Sequence, residues 1–188
     1  MADAELLRVY FAHPKPLYPQ VIPGIEEDLL AEINRLLPEA LGVEKIEIEN
    51  PSEPQHQKIV GALFSRKRDG MAYFTTSLVP SCDATIYCGY PEMEGDPAGG
   101  YIGAGVAKEV QRAFELNQPV FELRYRVAGN DRLDGYAELV RVTELDPSRR
   151  FSSDTGQEIR LTSARNSHYR EKYKSIQQSS DLSAARKR

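Results

Sequence analysis

The feature that most constrains this fold is an alternation of short apolar runs with apolar stripes at helical spacing. Residues 6–12 (LLRVYFA) form a nearly continuous apolar run, which is typical of a strand buried on both faces of a parallel sheet. Residues 43–49, 83–88 and 119–125 predict three more strands, with helical segments between them. This alternation predicts an α/β fold in which ligands bind outside the carboxyl ends of parallel strands.

Four helices are predicted between these strands. The first carries an apolar stripe that begins at Ile25, and we expect it to stop at Pro38 because proline interrupts helical hydrogen bonding. Two short helices are predicted at residues 59–64 and 71–78, with a turn between them. The fourth helix, at residues 104–117, is amphipathic and follows a glycine-rich turn.

The pattern changes after Tyr125. Residues 129–131 predict a turn, and residues 135–143 predict a short appended strand that runs antiparallel at the sheet edge. We therefore expect an open, mostly parallel, Rossmann-like sheet of four or five strands with helices on both faces, in one domain over residues 1–146. Residues 147–188 form a basic, polar C-terminal extension, which is either a frayed end or an arm that binds phosphate or nucleic acid.

Composition indicates a soluble globular domain. Of the 188 residues, 40% are hydrophobic and 28% are charged, and the formal net charge of −4 argues against a surface coated for nucleic acid. With only three histidines in the chain, Cys82 and Cys88 cannot complete a paired zinc site, so we expect reduced, buried thiols and no metal. No run approaches the ~20 apolar residues of a membrane helix, and residues 1–8 do not resemble a signal peptide. A cytoplasmic location without membrane contact is expected.

The segment that is most informative about chemistry is residues 99–109 (GGYIGAGVAKE), a glycine-rich turn that leads into a helix. Gly103 and Gly105 would let a ligand approach the backbone, and a helix start offers N–H groups to an anion or a sugar hydroxyl. Glu109 lies beside Val106 in the helical projection, so its carboxylate should point toward the sheet. The acid either has a chemical role there or reaches water at the helix margin.

Three segments carry a resemblance to a known family. Residues 9–14 (VYFAHP) are similar to its first strand, residues 82–86 (CDATI) resemble its third strand, and residues 105–109 (GVAKE) resemble its glycine-to-glutamate turn. The family is the nucleoside 2-deoxyribosyltransferase-like family, which includes deoxynucleoside monophosphate N-glycosidases and related nucleotide-binding domains. The resemblance covers residues 6–125 and follows the family's order and spacing.

This resemblance implies that Glu109 is a nucleophile that attacks the anomeric carbon of a nucleoside or nucleotide as the base leaves. A glycosyl-enzyme ester would form, and water or another base would resolve it by the two-step route of retaining enzymes. Tyr10 would hold the carboxylate. The resemblance also implies a small-molecule partner, a homodimer and no cofactor.

Two positions depart from the family pattern. The family usually has an aspartate eight residues before the third-strand aspartate, here Asp83, where it orients the sugar or protonates the leaving base, and this chain has Thr75 there. An acid sometimes found six residues before the glutamate is Gly103 here. Tyr10 together with Glu109 favours an N-glycosidase or transferase, whereas Thr75 favours a non-catalytic nucleotide sensor on the same fold. A nucleic-acid adaptor that acts through the basic extension is a third possibility.

Six residues make up the candidate substrate-binding set: His13, Thr75, Asp83, Tyr90, Gly103 and Gly105. His13 ends the first strand at the expected ligand edge and could contact a phosphate or base, or it could be a structural, hydrogen-bonded histidine. Tyr90 could stack on a nucleobase or belong to the core. Asp83 opens a strand, where it could bind the ligand or cap the edge of the sheet.

Overall fold

The computed structural model describes residues 6–14, 24–91, 99–128 and 132–149. The predicted turn at residues 129–131 and the extension beyond residue 149 lie outside the described residues, so the predictions made for them stay predictions.

Strands and helices alternate along the described chain. The strands are β1 (Leu6–Ala12), β2 (Lys45–Glu49), β3 (Ala84–Tyr87), β4 (Val120–Val127) and β5 (Leu133–Val142). The helices are α1 (Ile25–Leu41), α2 (Pro54–Ser65), the single turn α3 (Met71–Tyr73) and α4 (Ala104–Glu115). A π-helical turn over Phe74–Leu78 and a 3-10 turn over Val79–Ser81 connect α3 to β3.

The five strands form one sheet in the order β2-β1-β3-β4-β5. Strands β2, β1, β3 and β4 run parallel to one another, whereas β5, at the edge, runs antiparallel to β4. The predicted mostly parallel α/β fold with an appended antiparallel strand is therefore confirmed. Because β2 lies on one side of β1 and the later strands lie on the other, the strand order reverses between β1 and β3. In an open α/β sheet such a reversal creates a crevice at the carboxyl ends of the strands.

Each face of the sheet carries its own core, because successive side chains of a strand point to opposite faces. On one face, which we call the α1 face, Val9 and Phe11 of β1 pack with the fully buried Leu29 of α1. On the other, which we call the α4 face, Tyr10 of β1 packs with the fully buried Val110 of α4. Alternate side chains of β1 therefore face α1 or α4, and Tyr10 is one of those that face α4.

The strand register extends the α4 face sideways from Tyr10. Tyr10 is paired with Glu49 of β2 on one side and with Thr85 of β3 on the other. Paired residues of parallel strands point to the same face of a sheet. Tyr10, Glu49 and Thr85 therefore share the α4 face.

Helix α1 does not end at Pro38. The prediction that this proline stops the helix is wrong, since α1 continues to Leu41. The proline ring fixes φ near −65°, which is a helical value, so the chain can remain helical beyond it. The helix ends where Gly42 takes a left-handed conformation with φ of 72°, which glycine adopts without steric cost.

The two cysteines are free and buried, as the sequence predicts. Burial raises the pKa of the Cys82 thiol to about 11, so it remains protonated near neutral pH. None of the helices in the described ranges is both long and apolar enough to cross a membrane.

Candidate functional site

Strand β1 and helix α4 bring Tyr10 and Glu109 together on the α4 face. Tyr10 is fully buried and lies two residues before the end of β1. Glu109 lies in the second turn of α4 and is 6% exposed, between the buried Val106 and Val110. The Tyr10 hydroxyl lies close enough to the Glu109 carboxyl to act on its pKa. The carboxyl thus points toward the sheet, as the helical projection predicts.

Burial changes the acidity of Glu109. Desolvation raises the pKa of this carboxyl from 4.5 to about 8, because the charged form loses its water, and the nearby Tyr10 hydroxyl acts in the opposite direction. The group is therefore mostly protonated at pH 7, and once it ionises it is an unusually basic carboxylate. Strongly shifted pKa values in a cleft are a recognised mark of functional sites.

The glycine-rich turn delivers the start of α4 to this site. Gly103 immediately precedes the helix, and its carbonyl accepts a hydrogen bond from the N–H of Ala107 at 2.9 Å. A Cβ at Gly105 would lie 3.6 Å from the Sδ atom of Met71, which is an ordinary contact distance. Gly105 therefore faces α3, where a small side chain would fit, and the described structure gives it no steric need to be glycine.

Tyr90 holds the turn against the end of β3. Its N–H donates to the Tyr101 carbonyl at 2.8 Å, and its carbonyl accepts from the Gly100 N–H at 2.8 Å. The preceding Gly89 is the sterically required glycine, because a Cβ there would lie 2.6 Å from the Tyr101 carbonyl oxygen. Tyr90 is only 4% exposed, which favours a core position for its ring over an open stacking surface.

A buried ion-pair cluster, which sequence reasoning missed, fixes the same turn to β4. Glu122 is 3% exposed and pairs with Arg149 at 2.5 Å and with Arg124 at 3.0 Å. Arg149 also donates through Nη2 to the Gly100 carbonyl at 2.7 Å, and its own carbonyl accepts from the Ile102 N–H at 3.0 Å. A pocket of about 70 Å³, lined in part by these arginines, lies beside the turn. The glycine-rich turn is thus fixed both by the backbone of Tyr90, after β3, and by Arg149, which pairs with Glu122 of β4.

His13 lies at the carboxyl end of β1 but on the α1 face, away from Glu109. Its Nε2 atom lies 2.6 Å from Oε1 of Glu26, its Nδ1 atom lies 3.1 Å from the Phe11 carbonyl, and its ring stacks on Phe11. Burial acts to raise the pKa of Glu26, but hydrogen bonds from His13, Ser52 and Asn50 outweigh it and leave the pKa lowered. His13 thus has the structural, hydrogen-bonded environment that was one of its two interpretations.

Among the described residues, neither Thr75 nor Asp83 hydrogen-bonds to the carboxyl of Glu109. The Oγ1 atom of Thr75 donates to the Met71 carbonyl at 3.1 Å, within its own helical turn. Asp83 is exposed and accepts from the N–H of Arg8 at 2.8 Å. It immediately precedes β3, at the amino end of the strand, whereas Glu109 approaches near the carboxyl end of β1. Asp83 therefore has the edge-capping role that was one of its two interpretations.

A second polar chain on the α4 face also escaped sequence reasoning. His56, in the first turn of α2, is 6% exposed, and its Nδ1 atom lies 2.8 Å from the Tyr73 hydroxyl. Its Nε2 atom lies 3.2 Å from Oε2 of Glu49, and Glu49 also pairs with Arg8. The one signal for this chain in the sequence is the alternation of β2, which separates Glu49 from the apolar isoleucines of that strand.

The effect of Tyr10 on the pKa of Glu109 leads to a direct prediction. Tyr10→Phe should raise the pKa of Glu109 above about 8, because burial remains and the interaction that lowers the pKa is lost. The pKa can be measured from the carbon chemical shift of isotopically labelled glutamate across a pH series. Tyr136→Phe is the matched control, since that hydroxyl donates to Glu138 at 2.8 Å on β5. An unchanged or lowered pKa in Tyr10→Phe would contradict the assignment.

Comparisons with known proteins do not assign this chain to a family. No protein-family model matches the chain, and no curated protein matches it as a relative. Within the described ranges, no three His, Cys, Asp or Glu side chains are arranged to hold a metal ion.

Proposed function

We propose that the protein cleaves the N-glycosidic bond of a nucleoside or nucleotide, with Glu109 as the nucleophile and Tyr10 as the residue that orients it. The observation that carries the proposal is the buried carboxyl of Glu109, which lies beside the hydroxyl of the strand residue Tyr10. A buried acid of this kind is costly to the fold, and such costs concentrate where chemistry needs them. The resemblance of residues 9–14, 82–86 and 105–109 to the nucleoside 2-deoxyribosyltransferase-like family supports the same assignment.

The proposed reaction uses the ionised form of Glu109. One carboxylate oxygen forms a bond to the anomeric carbon while the carbon–nitrogen bond breaks, and the electron pair of that bond leaves with the base. Water or a second base then attacks the same carbon and releases the glutamate. Burial makes the carboxylate more basic, which strengthens it as a nucleophile. In the proposed reaction the carboxylate also lies close to the positive charge that develops on the sugar.

Tyr10 serves this reaction by fixing one carboxylate oxygen. The hydroxyl comes from a fully buried ring on a central strand, so its position is set by the core of the α4 face. A donor held in this way orients the second oxygen toward the substrate without further loss of side-chain freedom. We also propose, from the family resemblance, that the protein acts as a homodimer.

A nucleotide sensor without catalysis is the second candidate function. The observation that favours it is Thr75, which stands where the resembling family has an acid and whose hydroxyl donates to the Met71 carbonyl. In this alternative the glycine turn and the start of α4 bind a nucleotide phosphate. Glu109 would then be a structural acid.

The experiment that separates the two functions is product analysis on a mixed substrate panel. The protein is incubated with ribonucleosides, deoxyribonucleosides, their 5′-monophosphates and NAD, and free base is measured by chromatography alongside ligand affinity. An N-glycosidase or transferase releases base from one class, in equal amount to the sugar product. Binding without release would favour the sensor, and neither binding nor release would reject both functions.

A further inference from the structure

We propose that the Tyr73 hydroxyl is the acid that protonates the leaving base, with His56 and Glu49 as the residues that position it and resupply its proton. This inference rests on the proposed N-glycosidic cleavage. It assigns a role to a polar chain on the α4 face that the nucleophile alone does not use.

The first support is the geometry of the chain itself. Tyr73 and Glu49 contact opposite nitrogens of one buried imidazole, at 2.8 Å from Nδ1 and 3.2 Å from Nε2. When the His56 ring is protonated, both of its N–H groups are satisfied, one by the phenol oxygen and one by the carboxylate. The Tyr73 oxygen then accepts a hydrogen bond from His56 and can direct its own hydrogen away from that ring. Carboxylate, imidazole and hydroxyl thus form a continuous chain of contacts through which a proton can pass.

The second support is the position of this chain relative to Glu109. Glu49 is the register partner of Tyr10, and the two side chains share the α4 face. Tyr73 is partly buried and packs against the core cluster that contains Tyr10 and Val106 of α4. Met71, two residues before Tyr73, reaches the first turn of α4 near Gly105. One end of the chain therefore adjoins Tyr10 through the strand register, and the other belongs to the segment that reaches the first turn of α4.

The third support is chemical need. A purine or pyrimidine base leaves far more readily when a nitrogen or oxygen of the ring gains a proton as the carbon–nitrogen bond breaks. Glu109 cannot supply that proton while it attacks as a carboxylate, and a threonine hydroxyl that donates to a backbone carbonyl, as Thr75 does, is a poor acid. Burial and the charge of Glu49 raise the pKa of the Tyr73 hydroxyl and make it a weaker acid than a free phenol, so in this proposal it gives up its proton only as His56 supplies another.

The proton balance of the step is complete within these residues. As the carbon–nitrogen electron pair moves onto the base, the Tyr73 hydrogen passes to the base and the His56 Nδ1 hydrogen passes to the Tyr73 oxygen. Glu49 remains ionised and loses only the charge of the imidazolium beside it. When water resolves the ester, it releases one proton, which restores the protonated imidazole through the same hydroxyl.

The test compares two leaving groups on the sugar that the substrate panel identifies. One is the natural base, and the other is an N7-methylated purine, which is already cationic and leaves without protonation. Tyr73→Phe should lower kcat for the natural base by about 10² to 10³-fold and change the methylated substrate by less than about 3-fold. His56→Gln should give the same selectivity with a smaller loss. Thermal unfolding of both variants establishes that they are folded.

The controls separate this proposal from the proposed function. Glu109→Gln should lose activity on both leaving groups, since the nucleophile is needed for each. Equal losses on both leaving groups in Tyr73→Phe would show a merely structural role and overturn the acid assignment, as would full activity on both. Absence of base release by the unmodified protein would instead reject the proposed function, and this inference with it.

Discussion

Glu109→Gln is expected to lower base release by about 10⁴-fold or more while the affinity for nucleotide changes only a few-fold. Glutamine keeps the shape of the side chain and can still lie beside the Tyr10 hydroxyl, but its amide cannot form the glycosyl ester. The lost interaction is a bond made in the transition state, so the effect falls on kcat rather than on ground-state binding. Single-turnover assays and calorimetric titration measure the two quantities separately.

Glu115→Gln provides the matched control for this experiment. Glu115 lies on the same helix, at its last residue, and is an exposed acid that pairs with Arg112 at 3.0 Å. Its substitution should leave both turnover and affinity unchanged. If base release survives Glu109→Gln at the wild-type rate, the nucleophile assignment is wrong. A sensor would instead show no base release from either protein, together with tighter binding of anionic ligands by Glu109→Gln above about pH 8, where the carboxyl is ionised.

The same substitution is expected to stabilise the fold in a pH-dependent way. The pKa of Glu109 is about 8 in the folded protein and 4.5 for an ordinary glutamate, so the folded state binds this proton more tightly than the unfolded chain. The stability linked to that proton is fully present below about pH 4.5 and is lost as the pH rises to about 8. Glutamine does not titrate and avoids this loss.

Glu109→Gln should therefore unfold with a free energy about 3 to 5 kcal/mol larger than that of the unmodified protein at pH 9, and with little difference at pH 4.5. Urea denaturation at a series of pH values gives the difference directly. The exposed control Glu115→Gln should show a difference close to zero and independent of pH. A gain for Glu109→Gln that is the same at every pH would mean that its carboxyl is not the titrating group.

Sequence reasoning predicted the scaffold because burial leaves a periodic trace. The continuous apolar run of residues 6–12 marks a strand covered on both faces, and the observed β1 has those bounds. The orientation of Glu109 followed from its place beside Val106 on an amphipathic helix. Pro38 was misjudged because a proline ring is compatible with helical φ, and the actual end of the helix depends on Gly42.

The rest of the site depends on contacts that no local pattern records. Nothing near His56 in sequence indicates that α2 places its ring between Glu49 and Tyr73, since these residues are 7 and 17 positions away. His13 ends the predicted strand, but its partner on the α1 face is Glu26, whose position depends on how α1 returns to the sheet. Such pairings follow from the tertiary packing of the helices on the sheet.

The attachment of Arg149 has a practical consequence for anyone who shortens this chain. The last strand that the structure describes ends at Val142, so a truncated protein that stops shortly afterwards would retain every strand of the described sheet. It would nevertheless lose the guanidinium that joins Glu122 to the Gly100 carbonyl, and it would leave a carboxylate buried with one cation fewer. A fragment whose end is chosen from secondary structure alone would thus have a less firmly held glycine-rich turn. If that fragment were inactive, the result would not test the role of Glu109. Expression boundaries for this domain belong beyond residue 149.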